Sequence, residues 1–171
     1  MPRITEIGIV RIALAGLVCA ALSAGAAPVA QAASLDLHRA AVHGSDAASA
    51  RRTIAQAERG NARAQAMLGF MYANGNGVPQ SYDRALEWYA RSAEQGDPTG
   101  QYLLGLMYDK GLGVKADVVL AHKWLNLAAA HAPRQNRDNF TLIRDAVGSK
   151  MTRSQLEAAQ QLATDFVPVR R

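Results

Sequence analysis

Apolar residues recur at helical spacing through much of the chain. Leu104, Met107 and Tyr108 fall on one helical face, and Phe140, Ile143 and Val147 fall on another. Leu156, Ala159, Leu162, Ala163 and Phe166 form a third stripe. The polar punctuation agrees with this pattern. Asp97 is a good N-cap, and Pro98 suits the first helical position, where a missing N–H costs nothing. Thr152 to Gln155 reads "TRSQ", a capping box, with Met151 and Leu156 placed for a hydrophobic staple. Gly111 and Gly148 read as helix stops, and Pro168 ends the last stripe.

The pattern also repeats. Gln65–Gly96 aligns with Gln101–Ala132 without a gap, and 11 of the 32 positions are identical. "GFMYANGNGV" at Gly69 returns 36 residues later as "GLMYDKGLGV" at Gly105. A Gly-rich loop can cradle a phosphate, but such a loop has no reason to copy Trp88 as Trp124 or Ala93 as Ala129. A structural repeat explains all of the matches. Each unit reads as two helices, A and B, joined by a Gly-rich turn. Gly105 sits inside helix A, where glycine costs about 1 kcal/mol against alanine. A neighbouring helix approaching its backbone would account for that. Small alanines and one Trp per unit predict close packing of helix B, with Trp88 and Trp124 as core residues. "AERGNARAQ" (Ala57–Gln65) matches "AEQGDPTGQ" (Ala93–Gln101), so residues 46–60 read as a lone helix B ahead of the first full unit.

The stretch Ala64–Asp97 resembles the Sel-1-like repeat, a relative of the tetratricopeptide repeat. It carries Leu-Gly-x-Met-Tyr at Leu68–Tyr72, Gly-x-Gly-Val at Gly75–Val78, Tyr82 with Ala85, and Trp88 with Ala93. The second unit departs at Lys115, Val118 and Ala132, where the first has Pro79, Tyr82 and Gly96. The resemblance covers residues 61–132. It implies an all-α fold: a short α-solenoid of helix-turn-helix repeats with a C-terminal helical cap. The organisation expected is a leader over 1–33, a linker over 34–45 and the partial unit over 46–60. Repeats over 61–96 and 97–132 follow, then the cap over 133–171.

The N-terminus reads differently. Arg3 and Arg11 precede "IALAGLVCAALSAGAA", and "AQA" follows at Ala30–Ala32. This is the pattern of a secretory signal cleaved after Ala32 or Ala33. The apolar stretch is short for a spanning helix, which needs about 20 residues. Cys19 is the single cysteine, and Val18 and Gly16 do not suit lipid attachment there. Cleavage leaves about 138 residues, enough for one core without covalent staples. It also removes Arg3, Arg11 and Glu6, taking 19 basic and 14 acidic residues to 17 and 13, a net charge of +4. The expected location is the periplasm or the medium, with no membrane span after cleavage. The weak positive charge is scattered, so a nucleic-acid partner is not expected.

Candidate chemistry is sparse. The histidines are His38, His43, His122 and His131, with no His-Glu-x-x-His pattern; a zinc site needs three or four converging ligands. Ser81, Ser92, Ser149 and Ser154 lack a nucleophile-elbow context. Glu87, Glu94 and Asp109 are expected on solvated helix surfaces. No metal, cofactor or catalytic constellation is expected, and an enzyme is not the favoured reading.

The resemblance implies a binding module: exported members of the family are often adaptors or regulators in the bacterial envelope. A cell-wall fragment or β-lactam binding protein is the alternative, although this chain lacks the cysteines of the relatives linked to that activity. A structural piece of an envelope assembly is the third reading. Helix A lines the inner side of related solenoids, which points to Arg63, Phe70 and Asn74 in the first unit and to Tyr102, Leu106, Asp109 and Lys110 in the second. The competing expectation is that Phe70, Tyr102 and Leu106 simply pack against the next helix.

Overall fold

The computed structural model describes residues 48–169. The leader, the linker, the end of the tail at Arg170–Arg171, and His38 and His43 lie outside the described residues. All regular structure within them is helical. α1 covers 48–58, where the lone helix B was expected. α2 (Ala62–Asn74) and α3 (Tyr82–Glu94) make the first unit, and α4 (Pro98–Lys110) and α5 (Val118–His131) the second. α6 (Arg134–Gly148) and α7 (Arg153–Thr164) follow as the cap. Successive helices from α2 to α6 pack on one another, α7 returns to α5, and α2 also touches α4. This is the all-α repeat architecture that the paired motifs predict.

The two units are built by the same local chemistry. The Asn61 carboxamide oxygen accepts from the Ala64 N–H at 2.8 Å, and the Asp97 carboxylate accepts from the Gly100 N–H at 2.7 Å. Ser81 and Asp117 cap α3 and α5 in the same way. Such a cap contributes about 1 kcal/mol. Gly75 and Gly111 end the A helices at φ 73° and 68°, and each donates its N–H to the carbonyl of Met71 or Met107. The chain then turns back far enough for the Ser81 N–H to reach the Tyr72 carbonyl at 2.9 Å, and the Asp117 N–H to reach that of Tyr108 at 3.0 Å.

Packing within each unit turns on one glycine. A Cβ added to Gly69 would stand 2.6 Å from Tyr89 Cδ1 and 3.1 Å from the Ala85 carbonyl oxygen. One added to Gly105 would stand 2.7 Å from Leu125 Cγ and 3.1 Å from the Ala121 carbonyl oxygen. Helix A therefore rests its backbone on the Tyr89 or Leu125 side chain. The repeated glutamine has its own reason. Gln65 Nε2 donates to the Ala57 carbonyl at 3.1 Å and Gln101 Nε2 to the Ala93 carbonyl at 3.3 Å, so each buried amide ties helix A to the preceding helix B.

The tryptophans are less alike than their repeat positions. Trp124 is buried, 8% exposed, with Phe166 edge-on at 5.3 Å between ring centroids. Trp88 is only half-buried against the cluster of Ala57, Leu68 and Met71, with the Arg91 guanidinium 4.6 Å above its ring. The difference comes from the tail, which covers Trp124 and leaves Trp88 open.

In the cap, Phe140 and Val147 are buried, and the capping box at Thr152 and Gln155 forms as read. Gly148 is the last residue of α6 rather than the residue beyond it. Leu162 is 40% exposed, so Ala159 and Ala163 carry the packing of α7. Beyond α7 the tail returns to the first unit. The Val169 N–H donates to the Glu94 carbonyl at 2.8 Å, and Pro168 lies beside Gly96.

Two outcomes follow. Gly105→Ala should lower stability by about 1–2 kcal/mol, because overpacking against Leu125 outweighs the gain in helix propensity. A higher urea midpoint for that variant would contradict the close approach. Trp124→Ala should cost about 3–5 kcal/mol, and Trp88→Ala distinctly less; equal losses in parallel urea titrations would remove the distinction.

Candidate functional site

α2 displays apolar side chains that its own packing does not need. Leu68, Gly69 and Met71 are buried, whereas Met67 is 53% and Phe70 is 44% exposed. Arg63 lies on the same face, since 63, 66, 67 and 70 share one side of a helix. α4 stands alongside, and Thr99 and Leu103 close the other wall. The result is a cavity of about 270 Å³ between the two A helices, with Ala66 at its base and Arg63 at its edge. A larger cavity, about 660 Å³, opens on the other side of Met67 and Phe70, toward Ser49, Ala50 and Thr53 of α1. The two apolar side chains thus form a ridge between two hollows.

The residues expected at a partner face separate into two groups. Arg63 and Phe70 stand on this ridge, and Asn74 is exposed one turn on, its Nδ2 donating to the Phe70 carbonyl at 2.8 Å. Leu106 is half-buried on α4. Tyr102 is occupied elsewhere: its ring stacks on Phe140 with centroids 4.2 Å apart and planes 9° from parallel. Asp109 corrects the expectation of a solvated carboxylate. Its side chain is 7% exposed and is held by Lys150 Nζ at 3.0 Å and Lys110 Nζ at 3.2 Å. That pairing fixes the end of α4 to the turn between α6 and α7. Met67, Thr99 and Leu103 also line the hollow between the A helices and were not among the expected residues. The apolar spacing of Ala66, Met67 and Phe70 on one face was the available signal.

Electrostatics add little chemistry at the ridge. No carboxylate among the described residues lines the cavities that include Arg63, Met67 or Phe70. Among the described residues, no group of three or more His, Cys, Asp or Glu could hold a metal ion, and no helix is long and apolar enough to cross a membrane. His122 is buried on α5 beside Gly148, and its Nδ1 has no hydrogen-bond partner among the described residues. Burial, with the nearby Arg144 charge, holds its pKa below the usual 6.5 against the opposing Asp145. Burial raises the Asp109 pKa, but the hydrogen bonds and charges of Lys150 and Lys110 outweigh it and hold the group below 3.8.

Fold and surface together define a helical-repeat protein with an exposed apolar ridge on its first full unit. The Sel1 repeat family model matches residues 62–97 and 98–132, and the chain belongs to the Sel1-repeat family. Its structure is similar to that of c5321, a protective antigen present in uropathogenic Escherichia coli strains that displays an SLR fold. That match has a TM-score of 0.64 and 31% identity, and it covers 68% of this chain but 24% of the other, so the chain spans about a quarter of that relative. A Sel1 repeat protein from Oxalobacter formigenes is 43% identical over 53% of this chain and 68% of that one, with a TM-score of 0.49. No curated protein matches the chain.

The two buried ionisable groups set the acid response. A histidine held neutral in the fold contributes stability that is complete above about pH 6.5 and is lost as pH falls from there through its lowered folded value. Melting temperature should therefore fall between about pH 7 and 5, and His122→Leu, which copies Leu86 of the first unit, should flatten that slope. An unchanged slope in the variant would place the titration elsewhere. Asp109 adds a second loss at lower pH, beginning near 3.8, that Asp109→Asn should remove.

Proposed function

We propose that this chain is an exported bacterial interaction module, an adaptor or regulator in the cell envelope, that takes a protein partner on the face carrying the Met67–Phe70 ridge. The observation that carries the reading is the ridge itself. Met67 and Phe70 stay 53% and 44% exposed in a fold that buries Leu68, Leu104 and Leu125 almost completely. Large apolar side chains exposed together beside a cavity are characteristic of binding surfaces, and Phe and Met are enriched in interface cores. Envelope location is supported by the leader, with its two arginines, small-residue apolar stretch and "AQA".

Capture from envelope extract by the tagged chain, compared with Met67→Ser/Phe70→Ser, tests the reading. Both positions are solvent-facing, so the double variant should keep its helical circular dichroism and melting temperature. A defined protein retained by the natural chain and lost by the variant is the expected outcome. Equal capture by both would move the site off this face, and retention of a cell-wall fragment alone would favour the alternative class. Intact mass of the exported protein should show loss of the residues through Ala32 or Ala33; a species keeping Met1 would contradict export by cleavage.

A further inference from the structure

The larger cavity has a counterpart inside the molecule, and the counterpart is filled. The repeat offset of 36 residues carries Ser49, Ala50 and Thr53 of α1 onto Ala85, Leu86 and Tyr89 of α3. The same offset carries Met67, Phe70 and Met71 of α2 onto Leu103, Leu106 and Met107 of α4, and Gly75–Gly77 onto Gly111–Gly113. The nine described residues lining the cavity of about 660 Å³ are therefore the repeat equivalents of one surface in the next unit. A helix lies on that surface. α2 sets Gly69 against Ala85 and Tyr89, and its Tyr72 and Ala73 share a cluster with Leu103 and Met107. The described residues place no helix on the α1–α2 surface.

We propose that this surface is a seat for an amphipathic α-helix of a partner protein, docked in the register that α2 occupies one unit further on. The proposal rests on the interaction-module reading and deepens it by naming the kind of partner element. The seat also differs from its counterpart in a way that sets the ligand. Tyr89, whose ring demands glycine on the facing helix, is replaced by Thr53, and Leu86 is replaced by Ala50. The floor is lower, so the docked helix carries a leucine-sized side chain where α2 has Gly69. Arg63 is exposed beside the seat, in a hollow that Thr53 and Met67 also line. Complementary charge on the partner helix is therefore acidic. A helix laid in an apolar groove is a general recognition mode read through i, i+3, i+4 and i+7 anchors.

The test uses the full chain and two fluorescent synthetic helices of about four turns, stabilised because isolated helices of that length are marginal in water. Both present leucine at i, i+3, i+4 and i+7; one has glutamate and the other lysine on the remaining face. The acidic helix should bind, read by fluorescence anisotropy, and the lysine helix should bind at least several-fold more weakly. Thr53→Tyr rebuilds the side chain of the filled unit and should weaken the acidic helix by roughly tenfold or more, without lowering the melting temperature. Arg63→Glu should narrow the difference between the two helices. Failure of the acidic helix to bind, or equal binding by Thr53→Tyr, overturns the proposal. So does a dimer in sedimentation that Thr53→Tyr dissociates, since a second copy would then be the occupant. Should the envelope partner be lost by Met67→Ser/Phe70→Ser but kept by Thr53→Tyr, the interaction module stands and the helix seat falls.

Discussion

The contact on which the other packing depends is that of an α-helix backbone resting on one large side chain. Gly69 against Tyr89 and Gly105 against Leu125 bring helices A and B together more closely than any residue with a Cβ would allow. Once that distance is set, much of the repeat follows. Ala85 and Ala121 turn their carbonyls to the glycines and are fully buried, so a larger side chain at either would crowd the packed interior. The turn must reverse in a few residues, which Gly75 and Gly111 permit through positive φ. At the start of helix A, the buried Gln65 and Gln101 Nε2 groups donate to carbonyls of the preceding helix B, which the short turn between them keeps within reach. A buried amide without such a partner would be costly, which makes the glutamine as much a part of the frame as the glycine.

Against this frame, the surface is free to vary. Met67 and Phe70 lie one residue to either side of the buried pair Leu68 and Gly69, and they turn outward because the helical period gives them no other direction. The fold therefore supplies an ordered platform for apolar side chains that it does not itself use. The same logic explains why α4 is different. Tyr102, one position after the buried Gln101, meets Phe140 of the cap and is drawn into packing. Leu103 and Leu106, the counterparts of Met67 and Phe70, are half-buried because α2 lies alongside them, so equivalent positions have different fates.

Much of the fold was legible because its determinants are local or repeated. The caps at Asp97 and Thr152, the turn glycines and the helical stripes can each be read within a few residues. The paired identities then assemble them into two units. The site was legible only in part. Arg63, Phe70 and Asn74 could be placed by register alone. The burial of Asp109 could not, because Lys150 lies 41 residues away and reaches it only through the α6–α7 turn. Trp88 and Trp124 looked equivalent for a related reason: Phe166, which distinguishes them, comes from a tail with no counterpart in the repeat. Sequence periodicity reports what a unit does to itself and to its neighbour, while these differences arise where the array stops.

The return of the tail to the first unit changes how the array can come apart. A simple solenoid has contacts only between neighbouring units, so its ends fray one unit at a time and its stability is a sum of nearest-neighbour terms. Here the Val169 N–H on Glu94, with Pro168 beside Gly96, fastens the last segment to the middle of the chain. The second unit and the cap are thereby enclosed in one loop of contacts, and neither can peel away without releasing the tail. The domain gains the cooperativity of a closed globule at the expense of more distant pairings, which slow folding. The first unit, with its exposed ridge, remains outside most of that enclosure.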